Sequence, residues 1–124
     1  MLLDEELTKE IIGAAIDVHR YLGPGLLESA YEACLCHELK SRGILFACQV
    51  PLPISFKGVN LDCGYRIDIC VENRVILELK SIEKVTDLHR AQLLTYLRLS
   101  GKKVGLLLNF NVPVLRDGIV RMAL

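Results

Sequence analysis

The spacing of apolar residues along the chain predicts three helices. From Asp4 to Leu22 apolar residues recur every three or four positions, which gathers them on one face of an amphipathic helix. Gly23-Pro24-Gly25 ends this helix, and a second is predicted from Leu26 or Leu27 to Ser41. A third is predicted from Thr86 or Asp87, either of which is a good N-cap, to Leu99.

The other apolar runs are short, rich in β-branched residues and bounded by turn residues, so they predict strands. They are Ile44–Val50, Ile54–Phe56, Val59–Leu61, Tyr65–Val71, Val75–Leu79, Lys103–Phe110 and Ile119–Met122. Pro51 and Pro53 favour an edge position for the first run. The run VGLLLNF, which ends at Phe110, is typical of a strand buried on both faces. The pattern predicts a single α+β domain over 1–124, in which helices flank a mixed sheet in the order α-α-β-β-β-α-β-β.

Charged residues interrupt the two central strands. Asp68 lies inside the first of these runs, and Glu78 and Lys80 lie at the end of the second. A buried carboxylate without a partner costs roughly several kcal/mol of desolvation, and two neighbouring carboxylates also repel each other. A divalent cation that takes oxygen ligands from both acids would compensate for these costs.

The length of the connecting loop decides whether the acids meet. A two-residue turn would place Asp68 and Glu78 on opposite faces, whereas the three-residue loop Glu72-Asn73-Arg74 places them on one face. Asn73 tolerates the left-handed conformation that such a loop needs, so we expect an odd loop or a bulge. Lys80 shares the face of Glu78 because it lies two residues further along. The alternative is an exposed hairpin face with scattered charges.

Composition narrows the function classes. The chain has 124 residues, 52% of them hydrophobic and 24% charged, which indicates a soluble globular protein. Its formal net charge is zero, so nucleic-acid binding would need a local patch, a metal or a partner chain. No apolar run reaches the roughly 18 residues that a membrane helix needs, and the acidic start MLLDEELTKE does not resemble a signal peptide.

The five cysteines contain no Cys-x-x-Cys pair. We expect them to be reduced, small apolar residues of a cytoplasmic protein, because their spacing does not match the usual zinc or iron–sulfur patterns.

Two motifs resemble known families. Asp68, followed by Glu78-Leu79-Lys80 on the next strand, resembles the PD-(D/E)XK nuclease superfamily, with Ile67 where the name-giving proline would stand. Gly25-Leu-Leu-Glu28-Ser-Ala-Tyr31 resembles the GxxExxY protein family, a small branch of that superfamily, and the similarity runs from about Ile11 to Met122. The resemblance implies a restriction-endonuclease-like core and a metal-dependent nuclease that acts on DNA or RNA.

The resemblance also assigns roles to individual residues. Asp68, Glu78 and the backbone carbonyl of Leu79 would hold Mg²⁺ or Mn²⁺, since hard oxygen donors suit these ions. The metal would polarise the scissile phosphate and generate hydroxide from water. Lys80 would hold the attacking water or stabilise the transition state, and Glu28 would complete the acidic shell.

Four further residues are weaker candidates. Gln92 and Tyr96, four apart on the third helix, resemble the exonuclease-type branch; Gln92 would orient the lysine or contact the phosphate, and Tyr96 would stack or hydrogen-bond. A buried Tyr96 with Gln92 at the core's rim is the alternative. His19 and Tyr31 are expected to line the pocket, although a lone histidine is more often a packing or surface residue.

Two other functions compete with the nuclease. The first is a catalytically silent nuclease-fold module that binds nucleic acid or protein, which the zero net charge and small size favour. The second is a redox or metal-storage role of the cysteines. The apolar edge near Ile44–Leu61 suggests a homodimer, and no membrane association is expected.

Overall fold

The computed structural model describes residues 3–124. Its three α-helices are α1 (Glu5–Leu22), α2 (Glu28–Ser41) and α3 (Asp87–Ser100). The predicted N-cap of α3 is confirmed: the Thr86 hydroxyl accepts a hydrogen bond from the His89 N–H, and His89 Nδ1 accepts one from the Thr86 N–H. Within this range, no helix is both long and apolar enough to cross a membrane.

The start of α2 differs from the prediction. The helix begins at Glu28, with Leu27 as its N-cap, rather than at Leu26 or Leu27. Gly25 lies in the turn before this helix, with a φ of 97° that favours glycine.

The seven strands are β1 (Phe46–Pro51), β2 (Ile54–Phe56), β3 (Val59–Leu61), β4 (Arg66–Val71), β5 (Val75–Lys80), β6 (Val104–Asn109) and β7 (Ile119–Ala123). Five of them form a sheet in the order β1-β4-β5-β6-β7, and β2 and β3 pair as a separate ribbon. Among the strands described here, β5 and β6 are the one parallel pair, because α3 provides the crossover between them. The strands of the large sheet give the predicted order, and this mixed sheet flanked by helices confirms the predicted fold class.

The helices cover the sheet on two sides. Residues of α1 and α2 pack on one face, in a cluster with alternate residues of the central strands, such as Ile69, Leu77 and Leu106. Residues of α3 pack on the other face with Ile76 and Leu107. Every residue of β6 is buried, as predicted for a strand covered on both faces.

The loop between β4 and β5 has the predicted odd length. Val71 pairs with Val75, so Glu72, Asn73 and Arg74 form a three-residue loop. Glu72 and Asn73 both have positive φ, 52° and 54°. The last pair of this register is Ile69 with Leu77, so Asp68 and Glu78 are the next residues of the two strands, just beyond the paired segment.

The expected alternation of β4 fails at one residue. Strict alternation would place Ile67, Ile69 and Val71 on one face, but Ile67 packs in the cluster beneath α3 while the other two pack beneath α1 and α2. The change falls at Asp68, where the ladder with β5 has already ended at Ile69. The strand is thus irregular at the position of the first acid.

Candidate functional site

Asp68 and Glu78 are each bonded to the other's strand. Glu78 Oε2 accepts a hydrogen bond from the Asp68 N–H at 3.0 Å, and Asp68 Oδ2 accepts one from the Leu79 N–H at 2.8 Å. These bonds replace the backbone ladder that would otherwise continue past Ile69 and Leu77. The backbone pairing of the two strands therefore stops here, and each carboxylate bonds to a backbone N–H of the opposite strand instead.

Glu78 is buried and Asp68 is half-buried, and among residues 3–124 neither forms an ion pair. Glu78 is 5% exposed, and burial together with the negative charge of Asp68 raises its pKa from 4.5 to about 8. Burial also raises the pKa of Asp68, and the charge of Glu28 acts in the same direction. The site thus has an excess of negative charge that a bound cation would relieve.

Lys80 is half-buried at the end of β5, two residues beyond Glu78. Its positive charge opposes the rise in the pKa of both acids, so its ammonium group lies in their field. Within residues 3–124 it forms no direct ion pair with a carboxylate. The Lys80 carbonyl accepts a hydrogen bond from the Phe110 N–H at 2.9 Å, which fixes the backbone at this point.

Ser81, the residue after β5, is hydrogen-bonded to the turn before α2 and to the first residue of that helix. Its hydroxyl donates to the Leu26 carbonyl at 2.6 Å, and its N–H donates to Glu28 Oε2 at 3.3 Å. Glu28, the first residue of α2, is exposed, and its charge contributes to the raised pKa of Asp68. The glutamate of the GxxExxY motif is therefore brought beside the first acid.

Tyr31 is entirely buried in the core. Its ring stacks on Phe110 with 4.4 Å between centroids. Its hydroxyl donates to the Gly23 carbonyl at 2.5 Å and accepts from the Leu26 N–H at 3.1 Å. Tyr31 therefore holds the turn that carries Leu26 and, through Ser81, the end of β5.

His19 is also buried, at 6% exposure, and its Nε2 lies 2.8 Å from the Val112 carbonyl. It borders a cavity of about 390 Å³ between α1 and residues 113–116. In the described part of the chain, none of its hydrogen bonds reaches Asp68 or Glu78.

Gln92 and Tyr96 are neighbours on α3, with 3.5 Å between Gln92 Nε2 and the Tyr96 hydroxyl. Tyr96 is 7% exposed, and Gln92 is half-buried beside it. Burial raises the pKa of Tyr96, and the charges of Glu78 and Asp68 raise it further. The structure therefore brings Tyr96 close to the two acids, from the α3 side of the sheet.

Two polar residues of the site escaped the sequence analysis. Glu32 lies one helical turn after Glu28, and burial together with the charge of Asp68 raises its pKa. Gln49 on β1, with a φ of 51°, donates to Glu32 Oε1 at 2.8 Å. The four-residue spacing of the two glutamates was the available signal, because it places them on one helix face. Nothing in the sequence pairs Gln49 with them.

Asn109 was also missed, and it supports the loop that follows Lys80. It is 2% exposed at the end of β6. Its side chain accepts from the Ile82 N–H at 3.1 Å and donates to the Ile82 carbonyl at 3.0 Å. A buried amide that satisfies both backbone groups of one residue fixes where that loop begins.

The oxygen atoms at this site are of the kind that hard cations prefer, but only two side chains provide them. Two carboxylates and the Leu79 carbonyl are the oxygen ligands that Mg²⁺ and Mn²⁺ prefer. Across residues 3–124, however, no three His, Cys, Asp or Glu side chains are grouped closely enough to hold a metal ion. An ion here would rest on Asp68 and Glu78, with backbone oxygen and water supplying the rest, as is usual for Mg²⁺.

Comparison with known proteins identifies a superfamily. Searches of curated proteins and of solved structures give no significant match. A family model of the PD-(D/E)XK nuclease superfamily matches residues 5–122, which include both acids, Lys80 and all three helices. The chain therefore belongs to the PD-(D/E)XK nuclease superfamily.

Proposed function

We propose that this protein is a metal-dependent nuclease that hydrolyses phosphodiester bonds of DNA or RNA, within the GxxExxY branch of its superfamily. The observation that carries the proposal is the pair of opposed carboxylates, Asp68 and Glu78, beside Lys80 at the end of two central strands. Family membership agrees with the same chemistry.

In this proposal Asp68, Glu78 and the Leu79 carbonyl hold Mg²⁺ or Mn²⁺. When bound, the ion supplies positive charge that polarises the scissile phosphate and favours deprotonation of water. The two acids bring the negative charge that attracts the ion, and burial of Glu78 makes that charge costly until the ion arrives.

Lys80 is proposed to donate a hydrogen bond to the attacking water or to the phosphate oxygen on which negative charge develops. The absence of a direct ion pair within the described range supports this role, because the ammonium group keeps its hydrogen bonds for a ligand. Glu28 is proposed to extend the acidic shell. Gln92 and Tyr96 are proposed to position the substrate from the α3 side.

Assignment to the GxxExxY branch is supported by the separate contacts of its three motif residues. Gly25 adopts a positive φ in the turn before α2, and Glu28 reaches Ser81 beside the strand end. Tyr31 bonds to both sides of the same turn. Together the three residues fix α2 against the end of β5.

A silent module is the second candidate. It is favoured by the lack of a three-residue ligand group within residues 3–124 and by the backbone N–H groups that already occupy one oxygen of each acid. Such a protein would keep the fold and bind nucleic acid or protein without cleaving it.

The test is a nuclease assay with Mn²⁺ or Mg²⁺ on single-stranded, duplex and branched DNA and RNA. The proposal expects the wild type to cleave and Asp68→Asn and Lys80→Met to lose most of this activity. Asp117→Asn, which removes an exposed carboxylate, should cleave as well as the wild type. Activity that survives Asp68→Asn would contradict the site. Persistent silence of a wild type that binds the metal would favour the silent module.

A homodimer remains part of the proposal. β1 is an edge strand of the large sheet, and the neighbouring ribbon exposes Phe56 and Val59, at 59% and 55%. Unpaired edges and exposed apolar side chains are common features of self-association. Sedimentation of the wild type and of Phe56→Ser over a range of concentrations tests it.

A further inference from the structure

A cavity of about 330 Å³ lies between α3 and the segment that enters β4. Its walls include Ile54, Tyr65, Leu88, Ala91, Gln92 and Tyr96. We propose that this cavity binds one unstacked nucleobase of a single-stranded substrate, next to the phosphate that the carboxylate site cleaves. This inference rests on the proposed nuclease function and adds to it the part of the substrate that is recognised.

The cavity adjoins the carboxylate site through Tyr96 of α3 and through Tyr65, which directly precedes β4. Tyr96 forms part of the cavity wall, and the charges of Glu78 and Asp68 act on its hydroxyl. Tyr65 stands three residues before Asp68 on the same segment. A nucleotide whose phosphate lies at the carboxylates would therefore have its base within reach of this cavity.

The walls have the chemistry of a base-binding site. The Tyr65 ring is 46% exposed and meets Tyr96 at 74°, with 6.1 Å between centroids, so much of its surface is open to another ring. Ile54 and Leu88 supply apolar surface, and the Gln92 amide offers a donor and an acceptor to the edge of a base. Aromatic stacking combined with a few polar groups is how proteins hold single-stranded bases.

The charge of the chain argues for stacking as a main source of affinity. The formal net charge is zero, so general attraction to phosphates contributes little. Four acidic residues near the site, Glu28, Glu32, Asp68 and Glu78, weaken that attraction further. A base held by an aromatic ring provides affinity that salt screens only weakly.

The experiment measures binding of a labelled single-stranded oligonucleotide by fluorescence anisotropy in Mn²⁺, using Lys80→Met to slow turnover. The probes are an intact strand and strands with one abasic residue at each position in turn. Stacking of one base contributes about 1–3 kcal/mol, so the inference expects Tyr65→Ala to weaken binding of the intact strand roughly tenfold. Tyr65→Phe, which keeps the ring, should retain the affinity.

A second variant keeps the test independent of Tyr65. Ala91 lines the cavity and is itself exposed, so the larger side chain of Ala91→Phe should occupy the cavity without disturbing the core, and should weaken binding similarly. Tyr21→Ala is the matched control, because Tyr21 is 92% exposed on α1, in the layer on the other side of the sheet. Thermal denaturation confirms that each variant is folded.

The inference further expects that one of the abasic strands binds to the Lys80→Met protein with its Tyr65 intact as weakly as the intact strand binds to the Tyr65→Ala variant. Equal affinity for intact and abasic strands, or no effect of either cavity variant, would overturn it. If the wild type nevertheless cleaves with Mn²⁺, only the base-binding cavity is wrong. If no oligonucleotide binds and none is cleaved, the nuclease proposal fails as well.

Discussion

Asp68 and Glu78 face each other across two antiparallel strands, and each is held near the other by a backbone N–H of the opposite strand. This arrangement fixes both carboxyl groups before any ligand arrives. Burial and the nearby charge of Asp68 raise the pKa of Glu78 to about 8, so Glu78 keeps its proton near neutral pH and the two charges repel only as it ionises.

The first prediction concerns pH and stability in the absence of metal. The pKa of Glu78 is about 8 in the folded protein and 4.5 in an unfolded chain, so the folded state holds the proton more tightly. Its contribution to stability is fully present below pH 4.5 and is lost as pH rises to about 8. We expect the free energy of unfolding to fall over this window by about a few kcal/mol, as measured by urea denaturation.

Glu78→Gln should remove most of this pH dependence, because glutamine cannot ionise and its amide oxygen can still accept from the Asp68 N–H. The variant is then more stable than the wild type at pH 8 and about equally stable near pH 4.5. Glu10→Gln, an exposed position on α1, should retain the wild-type slope. A Glu78→Gln protein with the full wild-type slope would contradict the prediction.

Tyr31→Phe is expected to lower the stability of the protein and to leave its nuclease activity unchanged. The substitution keeps the stacked ring but leaves the Gly23 carbonyl and the Leu26 N–H without their partner. Loss of these two partly buried hydrogen bonds costs about 1–3 kcal/mol in total, measurable by chemical denaturation. Tyr21→Phe, at an exposed tyrosine, serves as the control. Unchanged stability with lost activity would instead assign Tyr31 to the reaction.

Cys36 is expected to react slowly with alkylating reagents. Burial and the neighbouring Cys48 and Glu32 raise its pKa to about 12, so its reactive thiolate is scarce at pH 8. Iodoacetamide should modify the exposed Cys34 and Cys63 at least roughly tenfold faster, as followed by mass spectrometry of peptides. Alkylation of Cys36 at the rate of Cys34 would show that its environment is misassigned.

The sequence allowed prediction of features that depend on local pattern. The parity of the Glu72–Arg74 loop, the cap at Thr86 and the fully buried strand at Val104–Asn109 follow from periodicity and turn chemistry, and all three are confirmed. These features depend on residues a few positions apart.

Other features of the site depend on tertiary contacts that no local pattern encodes. Gln49 reaches Glu32 from a different element, and Asn109 holds Ile82 across 27 positions. The switch of Ile67 to the α3 side breaks strand alternation, because the carboxylates of Asp68 and Glu78 replace the backbone ladder there. The roles of the site residues remain predictions.

The most direct test of the account is a thermal-denaturation titration with Mn²⁺ at pH 8. A ligand that binds only the folded state raises the Tm, and here it must also displace the proton of Glu78, so the rise should grow from pH 6 to pH 8. We predict a concentration-dependent rise for the wild type and for Asp117→Asn, and none for Asp68→Asn or Glu78→Gln. A rise of equal size in Asp68→Asn, or no rise in the wild type, would contradict the claim that these two acids bind a divalent ion.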